Sequence, residues 1–185
     1  MEIKHISTPL SHEKVKALKA GDSVLISGTM YTGRDAAHQK LIDSIDKGEI
    51  LPFDVKDAII YYVGPAPAKP GRTIGSAGPT TSYRMDDLTV PLLELGLTGM
   101  IGKGARSKTV IDSMKKNGAV YFAAIGGAGA LIANTIKECE IIAYEELGPE
   151  AVRKLTVVDF PAVVVIDSKC NNLYETERKK YQKID

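Results

Sequence analysis

The chain has 185 residues and a formal net charge of +1, from 24 Lys and Arg against 23 Asp and Glu. Its 44% apolar and 25% charged content is that of a globular domain able to bury a core without disulfides or zinc. The balance excludes a generally polybasic nucleic-acid binder and an acidic solvating tail, though not a local basic site.

The chain order predicts a strand over residues 2–7 and a short helix over 12–19, capped by Ser11 and stopped at Gly21. Val24 to Ile26 read as a buried strand ending at Ser27-Gly28, with a loop over Thr29 to Gly33. From Asp35 the pattern turns helical, with Ala37, Leu41, Ile42 and Ile45 on one face and Gly48 as the stop. Ile59 to Val63 is a strand. Gly64 to Pro79, rich in proline and glycine, is a long loop of the kind compact domains keep for function.

A helix starts near Met85 with Leu88, Leu92 and Leu95 inward, and Pro91 leaves its extent open. Thr98 to Ile101 is a strand. Ser107 caps a helix that ends at Gly118. Ala119 to Ile125 is a strand, and Gly126 opens a small-residue helix to about Lys137. Ile141 to Tyr144 is a strand, Glu150 to Lys154 a helical turn, and two strands follow, broken at Phe160-Pro161. Glu175 to Asp185 is a surface helix or frayed end. Strands alternating with helices make the class α/β, with residues 1–185 expected as one domain.

Cys139 and Cys170 lie 31 residues apart with no CxxC, and read as ordinary cytosolic thiols. This chain alone lacks the three or four thiolates of an iron–sulfur cluster. The charged start, Met1 to His5, has no leader-like apolar run, and no stretch of about 18 apolar residues exists. A cytoplasmic protein with neither membrane nor nucleic-acid partners is expected.

Three loops share one pattern: a strand end, glycines, then a basic residue or a helix start. They are Gly28 to Arg34, Gly78 to Arg84, and Gly102-Lys103-Gly104. Helix starts attract anions, and ligands of open α/β sheets sit at the carboxyl ends of strands. Arg34, Arg84 and Lys103 converging there suit a small dicarboxylate. Each taken singly reads more simply as a solvated surface cation, and it is the three together in glycine-rich loops that point to a site. Thr80 and Thr81 offer hydroxyls beside Arg84, though a threonine needs an activating neighbour and otherwise serves as a cap. His38 shares a helix face with Arg34, and a structural role is its simpler reading. Gly126-Gly127-Ala128-Gly129 does not match the dinucleotide fingerprint, and Gly102 to Ser107 is not a Walker loop.

These motifs, Ser27-Gly28-Thr29-Met30-Tyr31-Thr32-Gly33-Arg34-Asp35-Ala36-Ala37-His38, Gly78-Pro79-Thr80-Thr81-Ser82-Tyr83-Arg84-Met85-Asp86 and Gly102-Lys103-Gly104, resemble the C-terminal domain of class I fumarate hydratases. The same region forms a separate beta subunit in two-chain fumarases and L-tartrate dehydratases. Gly126 to Leu131 and Val158 to Ala162 fit as well.

The resemblance implies a swivelling β/β/α fold, which the strand and helix pattern alone does not separate from a doubly wound sheet. It implies an alpha subunit whose three cysteines hold a [4Fe–4S] cluster that activates water or the substrate hydroxyl. The active site then lies between chains, in a hetero-oligomer such as alpha2beta2. Arg34, Arg84 and Lys103 match the family's carboxylate binders. Thr80, with Thr81 adjacent, matches the threonine proposed for proton transfer, while Asp35 and His38 are accessory candidates. The implied reaction is reversible hydration of fumarate to L-malate. The rivals are tartrate dehydration and a non-catalytic anion-binding or assembly module.

Overall fold

The computed structural model describes residues 2–181. Seven strands lie among the described residues: β1 (Ile3–Ser7), β2 (Ser23–Thr32), β3 (Ile59–Tyr61), β4 (Gly99–Gly102), β5 (Val120–Ala123), β6 (Ile136–Ala143) and β7 (Val152–Ile166). They run β1-β2-β3-β4-β5-β7-β6, and β7 also pairs with β2. The ring β2-β3-β4-β5-β7 therefore closes into a barrel. The first five strands are parallel, and β7 is antiparallel to β2, β5 and β6. β1 and β3 share one edge of β2 at its opposite ends, while β5 and β6 share one edge of β7.

Strand alternation divides the core in two. Ile59, Tyr61, Ile101, Phe122 and Phe160 fill the barrel. Ile60, Tyr62, Met100 and Tyr121 face the helices. Parallel strands buried on both faces read as continuous apolar runs, which is why Ile59 to Val63 lacks alternation. Tyr61 meets Phe160 edge to face at 5.1 Å inside the barrel. The outer layer is α2 (Asp35–Asp46), α3 (Asp86–Glu94) and α4 (Lys108–Asn117), with α3 adjoining both others. The short α1 (His12–Lys16) and α5 (Gly129–Ala133) and the terminal α6 (Leu173–Tyr181) complete the chain. The expected terminal helix is found as far as Tyr181, and its remainder lies outside the described residues.

Several sequence expectations are corrected. Thr29 to Thr32 are the second half of β2, because β7 pairs with them through Tyr31 opposite Lys154. Val152 to Lys154 are strand, held by β6 and β2, where a helical turn was expected. β7 runs unbroken through Phe160-Pro161. Between Val157 and Val163 neither β5 nor β6 occupies its outer edge, so the N–H that Pro161 lacks is not needed there. The kink is taken up next door, by Asp159 at φ 53° and a register shift between Ile26 and Gly28. β6 begins at Ile136, within the expected small-residue helix, which is cut to five residues. Helix α3 runs through Pro91 and buries Asp86, Thr89, Leu92 and Leu93, while Leu95 is exposed.

Helix α4 follows its sequence signals closely. The Ser107 hydroxyl accepts from the Val110 amide, and Gly118 closes the helix in the left-handed region at φ 65°. A Cβ at Gly118 would sit 2.9 Å from His12 Nδ1. Gly118→Ala should cost about 1–2 kcal/mol of stability in urea unfolding, since a side chain there is both strained and crowded.

Candidate functional site

The candidate loops meet at the carboxyl ends of the parallel strands. β3 and β4 splay apart beyond Tyr62 and Ile101, and Thr80 to Ser82 insert between them. The Thr80 amide donates to the Tyr62 carbonyl (2.7 Å), the Lys103 amide to the Thr80 carbonyl (3.2 Å), and the Ser82 amide to the Lys103 carbonyl (2.9 Å). Thr81 and Lys103 form a parallel bridge. Two segments separated by some twenty residues are thereby locked side by side.

The proline-rich loop is what brings Thr80 back to this edge. The Tyr61 hydroxyl donates to the Ala77 carbonyl (2.6 Å), and the Ala77 amide to the Gly129 carbonyl (3.0 Å). A Cβ on Gly129 would lie 2.8 Å from the Gly78 nitrogen, so the Gly126–Gly129 stretch serves close packing against this loop. Gly102 has the same role towards Ser82, whose hydroxyl oxygen would be 2.0 Å from an added Cβ.

A short 3₁₀ turn, Ser82–Met85, then carries Arg84 towards α2. Arg84 pairs with Asp35 Oδ2 at 2.5 Å. Arg34 reaches Glu150 Oε1 at 3.1 Å and lies 3.7 Å from Asp35 Oδ1, too far for a hydrogen bond. Glu150 also accepts from the Ala36 amide at the start of α2 (3.0 Å), so this helix start is already answered by a carboxylate. Gly64 makes room for Arg34, since a Cβ there would fall 2.7 Å from the guanidinium. Lys103 is exposed and lies along Gly126. Its ammonium has no ion pair among the described residues.

The structure thus brings Arg34, Asp35, Thr80, Thr81, Arg84 and Lys103 into one continuous surface. His38 lies beneath it and is fully buried. Its Nδ1 donates to the Arg34 carbonyl at 2.9 Å, which leaves Nε2 unprotonated and without a partner among the described residues. Burial pushes its pKa down to about 4, the Arg34 carbonyl opposes that, and Arg106 adds to it. A separate depression of about 660 Å³, between the proline-rich loop and α5, is lined by Lys69, Arg72, Ser76 and Lys137 and includes none of the six.

Sequence reasoning missed the layer under this surface. Arg106 is buried, and its Nε donates to Asp86 Oδ1 at 2.6 Å. Its other nitrogens donate to the Tyr62 hydroxyl (3.3 Å) and Thr89 Oγ1 (3.1 Å), and the Ser107 amide donates to Asp86 Oδ2 (2.6 Å). The guanidinium lies over the rings of Tyr62 and Tyr121 at 5.3 and 5.2 Å. The signal was a charge flanking each glycine-rich motif: Asp86 reads as an ordinary first-turn acid and Arg106 as a surface cation. Glu150 carried no signal, being 114 residues from the amide it caps.

Metal chemistry has no seat on this chain among the described residues, where no three His, Cys, Asp or Glu side chains come together as ligands. Cys139 packs against the barrel core from β6, and Cys170 donates to the Ile111 carbonyl. These residues do not fit an iron–sulfur cluster. No described helix is long and apolar enough to cross a membrane.

Two outcomes follow from the buried groups. Arg106→Met should cost about 3–5 kcal/mol in urea unfolding, because it strands the Asp86 charge in a dry site. At pH 7 His38 is neutral folded and unfolded. Between about 6.5 and about 4 only the unfolded chain takes a proton, so stability falls as pH drops through that window. His38→Gln should remove about 2 kcal/mol of the stability difference between pH 7 and pH 5.

The comparisons with known proteins agree with one another. The family described as Fumarase C-terminus matches residues 2–177. A protein of Methanocaldococcus jannaschii named "Putative L(+)-tartrate dehydratase subunit beta" is 41% identical over 183 residues, covering 95% of this chain and 94% of its own. The aerobic class I fumarate hydratase of Salmonella typhimurium is 45% identical over 152 residues, covering 81% of this chain. The anaerobic class I enzyme of Escherichia coli is 46% identical over 153 residues, again covering 81%. The matches span only 26% and 28% of the length of those two enzymes. The relatives carry the names of hydro-lyases, and the barrel bears the family's motifs at one end of its strands: the chain belongs to the fumarase C-terminus family.

Proposed function

We propose that the chain is the beta subunit of a two-chain hydro-lyase that reversibly hydrates fumarate to L-malate. Its active site lies against an alpha subunit that carries a [4Fe–4S] cluster. The observation that carries this reading is the joining of Thr80, Thr81, Arg84 and Lys103 with Arg34 on one cationic surface. Since this chain's residues do not fit the cluster, the proposal leaves it wholly to the partner. The family likeness to class I enzymes about three times as long supports the division into two chains.

The chain's own part is electrostatic and positional. A dicarboxylate offers two anionic ends, and Arg34, Arg84 and Lys103 supply three cations. Removing the proton alpha to one carboxylate builds carbanion-like charge that spreads onto that carboxylate. Cations already fixed there stabilise it without reorganisation. A threonine hydroxyl is too weak a base alone, so Thr80, or Thr81 beside it, moves the proton only when coupled to a carboxylate from the partner. Asp35 spaces the two arginines and His38 holds the Arg34 carbonyl.

One observation keeps a second substrate in play. The Methanocaldococcus protein is matched over 94% of its length and is named for tartrate. Dehydration of L-tartrate to oxaloacetate would use the same surface. The test is anaerobic co-expression with an alpha-type chain, cluster reconstitution and parallel assays of fumarate loss and of oxaloacetate from tartrate. Turnover should need both chains. In the assembled complex Arg84→Ala should lower turnover by about 10²–10³ with assembly intact. Unchanged turnover would return the surface to a non-catalytic anion-binding or assembly role.

A further inference from the structure

The surface is held from below by hydroxyls that the reaction does not use. Ser82 is fully buried, and its Oγ lies 2.8 Å from the Tyr121 hydroxyl. The Tyr121 hydroxyl donates to the Gly104 carbonyl at 2.9 Å, a group that can only accept. Its single proton is spent there, so the Ser82 proton must go to the Tyr121 oxygen. The direction is fixed: Ser82 to Tyr121 to the Gly104 carbonyl. Burial pushes the Tyr121 phenol well above its ordinary value, which keeps that proton in place at working pH.

This relay ties together the two segments that bear the candidate groups. Ser82 follows Thr80 and Thr81 and opens the turn carrying Arg84. Gly104 follows Lys103. Tyr121, from β5, reaches both from beneath. Over its ring stands Arg106, bonded to Asp86, so the turn and the Lys103 loop are joined a second time. Gly102 completes the device, because any Cβ there would occupy the place of the Ser82 hydroxyl.

We propose that Ser82 and Tyr121 are positioning residues: their relay sets the spacing of Thr80, Thr81 and Arg84 against Lys103 for the bound dicarboxylate. The proposal rests on the substrate reading above. It distinguishes these hydroxyls from ordinary core polar groups, whose loss would weaken the whole barrel alike.

The variant is Tyr121→Phe, which keeps the ring against Arg106 and removes one oxygen. Ser82→Ala is the second. Amide hydrogen exchange on the full chain gives a local readout. Exchange at Ser82 and Lys103 should quicken about tenfold, while Met100, Ile101 and Phe122 stay within about twofold. In the assembled complex kcat/KM should fall about ten- to hundredfold, the scale of a small misplacement of reacting groups. The melting temperature should stay within about 2 °C. Exchange that is unchanged, or that rises equally across the sheet, overturns the proposal, as does unaltered turnover. If the wild-type complex turns over neither acid, the hydro-lyase reading fails, and the exchange pattern still decides whether the relay positions these loops.

Discussion

One buried charge governs this end of the barrel. Arg106 lies in the dry layer between the sheet and α3, where an unanswered guanidinium would cost several kcal/mol. Its surroundings answer it: Asp86 at 2.6 Å, two hydroxyls, and two aromatic faces. Its partners come from three pieces of the chain. Asp86 and Thr89 start α3, Tyr62 directly follows β3, and Tyr121 lies on β5, while Arg106 itself leads into α4. The charge can be buried only when all of these are in register. A structure with the turn before α3 displaced would pay the full desolvation cost, so the site loops have one arrangement rather than several.

Closure of the barrel supplies the frame for that register. β7 touches β2, β5 and β6, so it fixes where the parallel strands end. Strand ends held in a ring leave the carboxyl-terminal loops no freedom to drift apart. The long loop before Thr80 is then not slack. Tyr61 from inside the barrel and Gly129 from the start of α5 both hold it at Ala77, three residues before Thr80.

Much of this was legible in the residues, and what was not has a physical reason. The parallel strands announced themselves as apolar runs, and α4 by Ser107 and Gly118. The loops with Arg34, Thr80, Thr81, Arg84 and Lys103 stood out because glycines beside cations are rarely needed for packing alone. β7 was misread at its start and in its middle. Pro161 argues against a strand unless one knows that its outer edge is unpaired, and that depends on residues far away in sequence. The same holds for β2, whose second half looks like a loop until Lys154 to Val157 lie beside it. Asp86, Arg106, Ser82 and Tyr121 were invisible as a set because their meeting is tertiary: only the fold distinguishes a buried charge from a solvated one.

The two kinds of ion pair in this protein sort themselves by water. Asp86–Arg106 is dry, with side-chain exposures of 6% and 0%. Arg84–Asp35 and Arg34–Glu150 are wet, with exposures of 43% and 34% and of 22% at both members. Pairs open to solvent contribute about 0–1 kcal/mol, whereas breaking a dry one costs about 3–5. The dry pair therefore cannot trade partners at any reasonable cost, and the wet ones can. A carboxylate arriving at Arg84 or Arg34 meets a guanidinium whose present partner is weakly held, and it displaces or shares that partner with little net loss. Lys103, with no carboxylate of its own, leaves the surface one positive charge in excess. On the proposed function that excess is what draws the substrate's carboxylates in, and the buried pair beneath keeps the cations in one place.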